Sequence, residues 1–225
     1  MAPQREVRPS DSPHVRCVTR VAYSDDAADV ATPDGLWDLV VVRGPDGPPR
    51  VVQTGVHRRP LQLDFSPGNE YVSISFEPGV FMPRLPGSDL AGRAVPRPVT
   101  SPTTFWLDDD PFEIPTFDNA EGLIHRLTDR GHLVVDELVL GVLRGRPADA
   151  STRTVQRHFL RSVGMPPKQL QMIRRANLAV ESLQRGVPPA AVAFDLDYAD
   201  QSHLSRSLKE IMGRTPGEIA RAAAA

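Results

Sequence analysis

The chain has 225 residues, with 26 Lys or Arg against 28 Asp or Glu, 40% hydrophobic residues and one cysteine, Cys17. This is enough for two modest domains with real cores, and a lone cysteine excludes an internal disulfide. No apolar run approaches the ~18 residues of a membrane span, and the start, Met1-Ala2-Pro3-Gln4-Arg5-Glu6, lacks the apolar core of a secretion signal; the expectation is a cytoplasmic protein with no membrane partner.

Residues 1–35, rich in Pro, Asp and Ala, predict a loosely attached start with one strand near Val15–Tyr23. Leu36–Arg43 is β-branched and apolar, Gly44-Pro45-Asp46-Gly47-Pro48-Pro49 is a turn cluster, and Arg50–Val56 follows as the hairpin partner. Leu61, Leu63 and Phe65 alternate with polar residues, as do Val72, Ile74 and Phe76 beyond a turn at Ser66-Pro67-Gly68-Asn69. Short strands joined by Gly/Pro turns predict an antiparallel β barrel or sandwich, cupin-like in kind, over residues 1–100. Between Phe81 and Pro102 the prolines and weak periodicity predict irregular structure, with one helical turn at Ser88–Gly92. Residues 101–118, with Phe105-Trp106-Leu107, the acidic Asp108-Asp109-Asp110, Pro111 and Pro115, read as a linker.

Residues 119–225 read as all-α, so that the chain is α+β in two domains. Apolar residues at helical spacing predict helices over Ala120–Arg130, with Leu123, Ile124 and Leu127 on one face, and over Val134–Leu143. Lys168–Arg185 predicts a helix with Leu170, Ile173, Ala176, Leu178, Val180 and Leu183 as its apolar positions; Pro189–Leu196 predicts a short one, and Pro216–Ala225 a poorly anchored last one.

Within this half one pattern occurs twice. Ser151, Val155, Arg157, Phe159, Val163, Gly164 and Pro167 are matched, 49 residues later, by Asp200, Leu204, Arg206, Leu208, Met212, Gly213 and Pro216. Ser151 and Asp200 are N-cap types. Val155, Phe159 and Val163 form an apolar stripe, repeated by Leu204, Leu208 and Met212. Gly164 and Gly213 suit a left-handed C-terminal position, and a following proline stops the helix. Arg157 and Arg206 lie about 200° round from the first stripe position and face outward. Pro189–Leu196, the turn Asp197-Tyr198-Ala199 and the second copy make a helix-turn-helix pattern, with small Ala193 where the helices approach.

The outward faces carry hydrogen-bonding side chains: Thr152, Arg153, Gln156, Arg157 and His158 in the first copy, and Gln201, Ser202, His203, Ser205, Arg206 and Lys209 in the second. In the major groove Arg pairs well with guanine and Gln with adenine. The connecting helix, about 27 Å long at 1.5 Å per residue, compares with the ~34 Å between successive major-groove faces, so one chain could address two grooves. The charges agree: residues 1–120 hold 11 Lys or Arg against 17 Asp or Glu, and residues 121–225 hold 15 against 11.

These residues resemble the DNA-binding domain of AraC/XylS-type transcription regulators. The resemblance rests on Arg153–Phe159, Val163-Gly164 with Pro167-Lys168, Arg174–Ala179, and Tyr198–Arg206 through Gly213–Pro216. It implies DNA contacts at Arg153, Gln156 and Arg157 and at Gln201, Ser202, His203 and Arg206, to which the outward faces add Thr152 and Lys209. Asp197 stands where the family usually has Gly, and Asp tolerates the left-handed conformation better than most residues. The first turn is lengthened by Gly145–Ala150. Phe76-Glu77-Pro78-Gly79 resembles part of a sensor-like β domain attached to some members, which implies sensing of a small molecule or dimerisation by the N-terminal half.

The implied partners are double-stranded DNA, a small-molecule effector, a second copy of the chain and RNA polymerase. Neither cofactor nor metal is expected. His14 and His57 lack ligand spacing, Asp108-Asp109-Asp110 lacks that of a calcium loop, and no nucleophile elbow, phosphate loop or carboxylate pair marks an enzyme. The alternative is a barrel enzyme or repair module, with bound metal or a reactive Cys17, tethered to DNA by the helical half. His158 reads as a packing residue or phosphate contact, and Arg174-Arg175 as a solvated or salt-bridged face or a phosphate contact.

Overall fold

The computed structural model describes residues 4–223. Its strands are β1 (Gln4–Arg8), β2 (Val15–Ala22), β3 (Ala27–Ala31), β4 (Trp37–Arg43), β5 (Arg50–Thr54), β6 (Leu61–Phe65), β7 (Glu70–Phe76), β8 (Val80–Phe81), β9 (Ala94–Arg97), β10 (Val99–Ser101), β11 (Thr104–Leu107), β12 (Asp110–Glu113) and β13 (Val134–Val135). Its helices are α1 (Gly87–Leu90), α2 (Ala120–Asp129), α3 (Glu137–Leu143), α4 (Thr152–Val163), α5 (Pro167–Gln184), α6 (Pro189–Asp195), α7 (Gln201–Met212) and α8 (Pro216–Ala223). They form two compact units. The first takes the chain through Asp29, Leu36–Val56 and Leu63–Pro166; the second takes Val30–Gly35, His57–Gln62 and the chain from Pro167 onward. Strands β3 and β6, which pair as a ribbon, carry the chain out of the first unit and back.

The first unit is built on an antiparallel six-stranded sheet of order β1-β2-β7-β4-β5-β9. The expected hairpin forms, with Val40 opposite Val52 and Val42 opposite Arg50. Alternation puts Val18, Leu39, Val41, Val72, Ile74 and Phe76 in the core, and Trp37 stacks on Phe76 at 3.9 Å. The sheet is open: its edges are β1, almost wholly exposed, and the four-residue β9, whose Pro96 is a type confined to edges. Of the expected cupin-like barrel or sandwich, the β-rich character holds, but the main sheet does not close into a barrel and has smaller sheets beside it.

Two further expectations change here. The start of the chain is not loose: β2 lies between β1 and β7, and Arg8 grips Glu121 of α2 through two hydrogen bonds of 2.7 and 2.9 Å and donates to Phe117 O at 2.8 Å. Residues 101–118 are not a linker: β10, β11 and β12 form a three-stranded sheet whose Phe105, Leu107 and Phe112 share a core with Leu123, Ile124 and Leu127 of α2. Prolines hid these strands, although Pro111 pairs with Trp106. The helix expected from Val134 starts later, because Val134 and Val135 pair with Phe81 and Val80, and Asp136 then caps α3 by accepting from Val139 N at 3.2 Å.

In the second unit α5 packs against α6, α7 and α8. Leu170, Ile173, Ala176, Ala179 and Leu183 are its buried positions; Leu178, expected among them, is half exposed. Helix α8 is anchored, against expectation. Pro216 and Ile219 are buried, and Thr215 with Glu218 forms a reciprocal capping box: Thr215 N donates to Glu218 Oε2 at 2.6 Å and Glu218 N to Thr215 Oγ1 at 3.3 Å. The last two residues of that expected helix lie outside the described residues.

Candidate nucleic-acid interface

Helices α4 and α7 are the two expected reading helices, each of 12 residues. Ser151 Oγ accepts from Thr154 N at 3.2 Å, and Asp200 Oδ1 from His203 N at 2.6 Å. These bonds satisfy donors that a helix start otherwise leaves open. Each helix ends on a left-handed glycine, Gly164 at φ 86° and Gly213 at φ 71°. The inward stripes are buried at Phe159 and Val163 and at Leu204, Leu208 and Met212; Val155 is half-buried.

Opposite those stripes Thr152, Arg153, Gln156 and Arg157 are exposed on α4, and Gln201, Ser202, Arg206 and Lys209 on α7. Among the described residues the side chains of Arg153, Arg157 and Arg206 make no hydrogen bond or ion pair, so their guanidinium groups face solvent with their donors open. Lys209 Nζ lies 3.6 Å from Glu218 Oε2, an exposed pair of the kind that holds a lysine only weakly. The Glu218 carboxyl sits below the usual carboxylate range, first because it accepts from the Thr215 backbone.

His203 is half-buried and braces the turn. Its Nδ1 accepts from Ala199 N at 3.2 Å and its ring meets Tyr198 edge-on at 5.3 Å. An Nδ1 that accepts puts the proton of the neutral ring on Nε2, leaving a donor on that side. His158 does a different job in the first unit: its Nδ1 lies 2.9 Å from the buried Asp136 carboxylate, tying α4 to the start of α3. Of its two expected readings, this contact supports packing.

The turn between α6 and α7 is tight. Asp197 adopts φ 55°, the left-handed conformation foreseen where the family has glycine, and Tyr198 N donates to Ala193 O at 2.9 Å. Arg175 secures it from α5: its guanidinium lies 4.2 Å from the Tyr198 ring centre and donates to Asp197 O at 3.3 Å. Such a stack contributes ~0.5–2 kcal/mol. Arg175 thus acts as a brace, a role outside the solvated or salt-bridged face or phosphate contact expected of it. Val30–Gly35 and His57–Gln62, distant in sequence, are also built into this unit. Asn177 Nδ2 donates to Pro33 O at 2.8 Å, and Gly35, at φ +79°, lies so close to Leu170 that a Cβ would sit 2.2 Å from its Cδ1. These contacts join residues more than a hundred positions apart, and no local signal marks them.

Residues 146–222 match the model of a family described as a helix-turn-helix domain, a stretch that begins before α4 and ends in α8. No curated protein and no solved structure matches the chain. No helix among the described residues is long and apolar enough to cross a membrane.

Proposed function

We propose that this chain, a DNA-binding transcription regulator whose residues 146–222 are a helix-turn-helix domain of the AraC type, reads two adjacent major grooves of one duplex, α4 in one and α7 in the next. Thr152, Arg153, Gln156 and Arg157 contact the first groove; Gln201, Ser202, His203, Arg206 and Lys209 contact the second. The observation that carries this reading is the matched pair of capped helices, each with open arginine donors on its outward face. The open sheet of the first unit senses a small molecule or pairs two copies of the chain, RNA polymerase is a further partner, and the protein works in the cytoplasm.

Selection of bound duplexes from a random library, followed by affinity measurements, tests the reading. Arg157→Ala and Arg206→Ala should each lose ~1–3 kcal/mol of binding to the selected site, the value of a bidentate guanine contact. If about five phosphates are neutralised, log K should fall with log salt at a slope near −4.5. Unchanged affinity in both variants would overturn it.

A further inference from the structure

We propose that the first unit holds a binding site for a compact monocarboxylic acid, centred on Arg97 of β9. The proposal takes its purpose from the sensor reading above and names the ligand class. The site is a cavity of about 250 Å³, lined by Arg97 and by the β11–β12 turn, with Arg130 and His132 closing it behind α2. Ligand pockets usually run to ~300–1,000 Å³, so the occupant is small.

Most charges around the cavity are already matched. Arg84 lies 3.6 Å from Asp108 and 3.1 Å from Asp109. Arg130 Nη1 is 3.9 Å from Asp110, with its guanidinium 5.1 Å from the Phe112 ring centre. His132 is held between two carboxylates, Nε2 2.6 Å from Asp110 and Nδ1 3.5 Å from Asp108.

Arg97 differs from all of these. Among the described residues it forms no ion pair, and its one side-chain partner is the neutral amide of Gln53, whose Oε1 accepts from Nη2. Its Nε is buried without a protein acceptor, and so is Nε2 of the fully buried Gln53. Burial pulls the Arg97 pKa below the usual arginine range, with Asp108 opposing from a distance. A guanidinium partly removed from water without a counter-charge is costly, and its fork matches a carboxylate.

Aspartates 108 and 110 set the limit on charge. They line the same cavity, so a single negative charge is tolerated beside them and a phosphate dianion is repelled. Met82, Leu85 and Leu107 complete the wall and suit a short apolar body.

The test uses the full chain, with titration calorimetry and thermal unfolding at constant ionic strength. The probes are acetate, butyrate, benzoate, inorganic phosphate, and benzamide as the uncharged counterpart of benzoate. Butyrate or benzoate should bind saturably and raise Tm, with phosphate and benzamide at least ten-fold weaker. Arg97→Gln should cut the affinity ten-fold or more and Arg97→Lys less. Asp108→Asn, at a φ of 54° that asparagine accepts, should tighten binding several-fold, and it keeps the test decisive if the Arg97 variants unfold. No saturable acid, equal binding of benzamide, or weaker binding in Asp108→Asn would overturn the site. DNA affinity measured without any acid separates the two readings: acids failing while DNA binding stands removes only this site, and the reverse removes only the regulator reading.

Discussion

Helices α4 and α7 have the same length, the same kind of cap, the same glycine stop and a matched outward arginine, Arg157 or Arg206, yet they are supported by different material. Helix α4 is a member of the β-rich unit: it packs on α1, α3 and β8, its His158 pairs with Asp136, and Arg161 lies over Phe81. Helix α7 is a member of the helical unit, held by α5, α6 and α8 and by the Arg175–Tyr198 stack. The difference teaches that a short local code can specify a capped helix and its outward face completely while leaving its scaffold to long-range packing.

Core truncation is the strongest way to break the comparison. Phe159→Ala should cost ~3–5 kcal/mol and Leu208→Ala ~2–5 kcal/mol. Hydrogen exchange should show the first loosening α1, β8 and α3, and the second loosening α5 and α8. Exchange that rises equally in all of these would contradict the assignment of the two helices to separate units.

The matched glycines sharpen it next. A Cβ on Gly164 would sit 2.5 Å from Gly87 O, whereas on Gly213 it would meet the Pro60 ring at 3.1 Å. Both substitutions force an L residue into the left-handed region, at ~1–2 kcal/mol. Gly164→Ala adds overpacking against backbone, a further ~1–3 kcal/mol. Denaturant midpoints should therefore fall further for Gly164→Ala; equal losses would show that the contact of α1 with α4 is unimportant.

Acid should act on the scaffold of α4. The Arg8 guanidinium, aided by Ser10, holds the Glu121 carboxyl down to about 2. A carboxyl lowered on folding contributes stability above its unfolded pKa near 4.5 and loses it as pH falls through the folded value. Glu121→Gln should cost ~1–3 kcal/mol at pH 7 after allowance for partial exposure, and the gap from wild type should close as pH approaches 2. A gap independent of pH would refute the pairing. Smallest, Arg175→Ala should cost ~0.5–2 kcal/mol and loosen the turn before α7 while leaving α4 untouched, as exchange at Tyr198 and at Phe159 would report.

What was legible in the sequence follows the same division. Ser151, Asp200, Gly164 and Gly213 act through bonds a few residues long, so their roles could be read directly. The Thr215 and Glu218 box is just as local, with its signature Thr-x-x-Glu. The partner of His158 lies 22 residues away and the backbone that Gly164 meets belongs to Gly87, so neither could be inferred from spacing. The open sheet was illegible for a related reason. Alternation predicts strands and inward faces, but whether β1 meets β9 depends on edges that carry prolines and few buried side chains. In the interface the outward residues were readable from helical phase; the use of Arg175 as a brace was not, because it depends on where Tyr198 comes to rest.

The central claim is that one chain reads one duplex through two similarly built helices held by different scaffolds. Hydroxyl-radical and methylation footprinting on a selected site tests it most directly. The account predicts two protected major-groove segments about one helical turn apart, one lost in Arg157→Ala and the other in Arg206→Ala. A single protected segment, or both segments lost together in either variant, would contradict it.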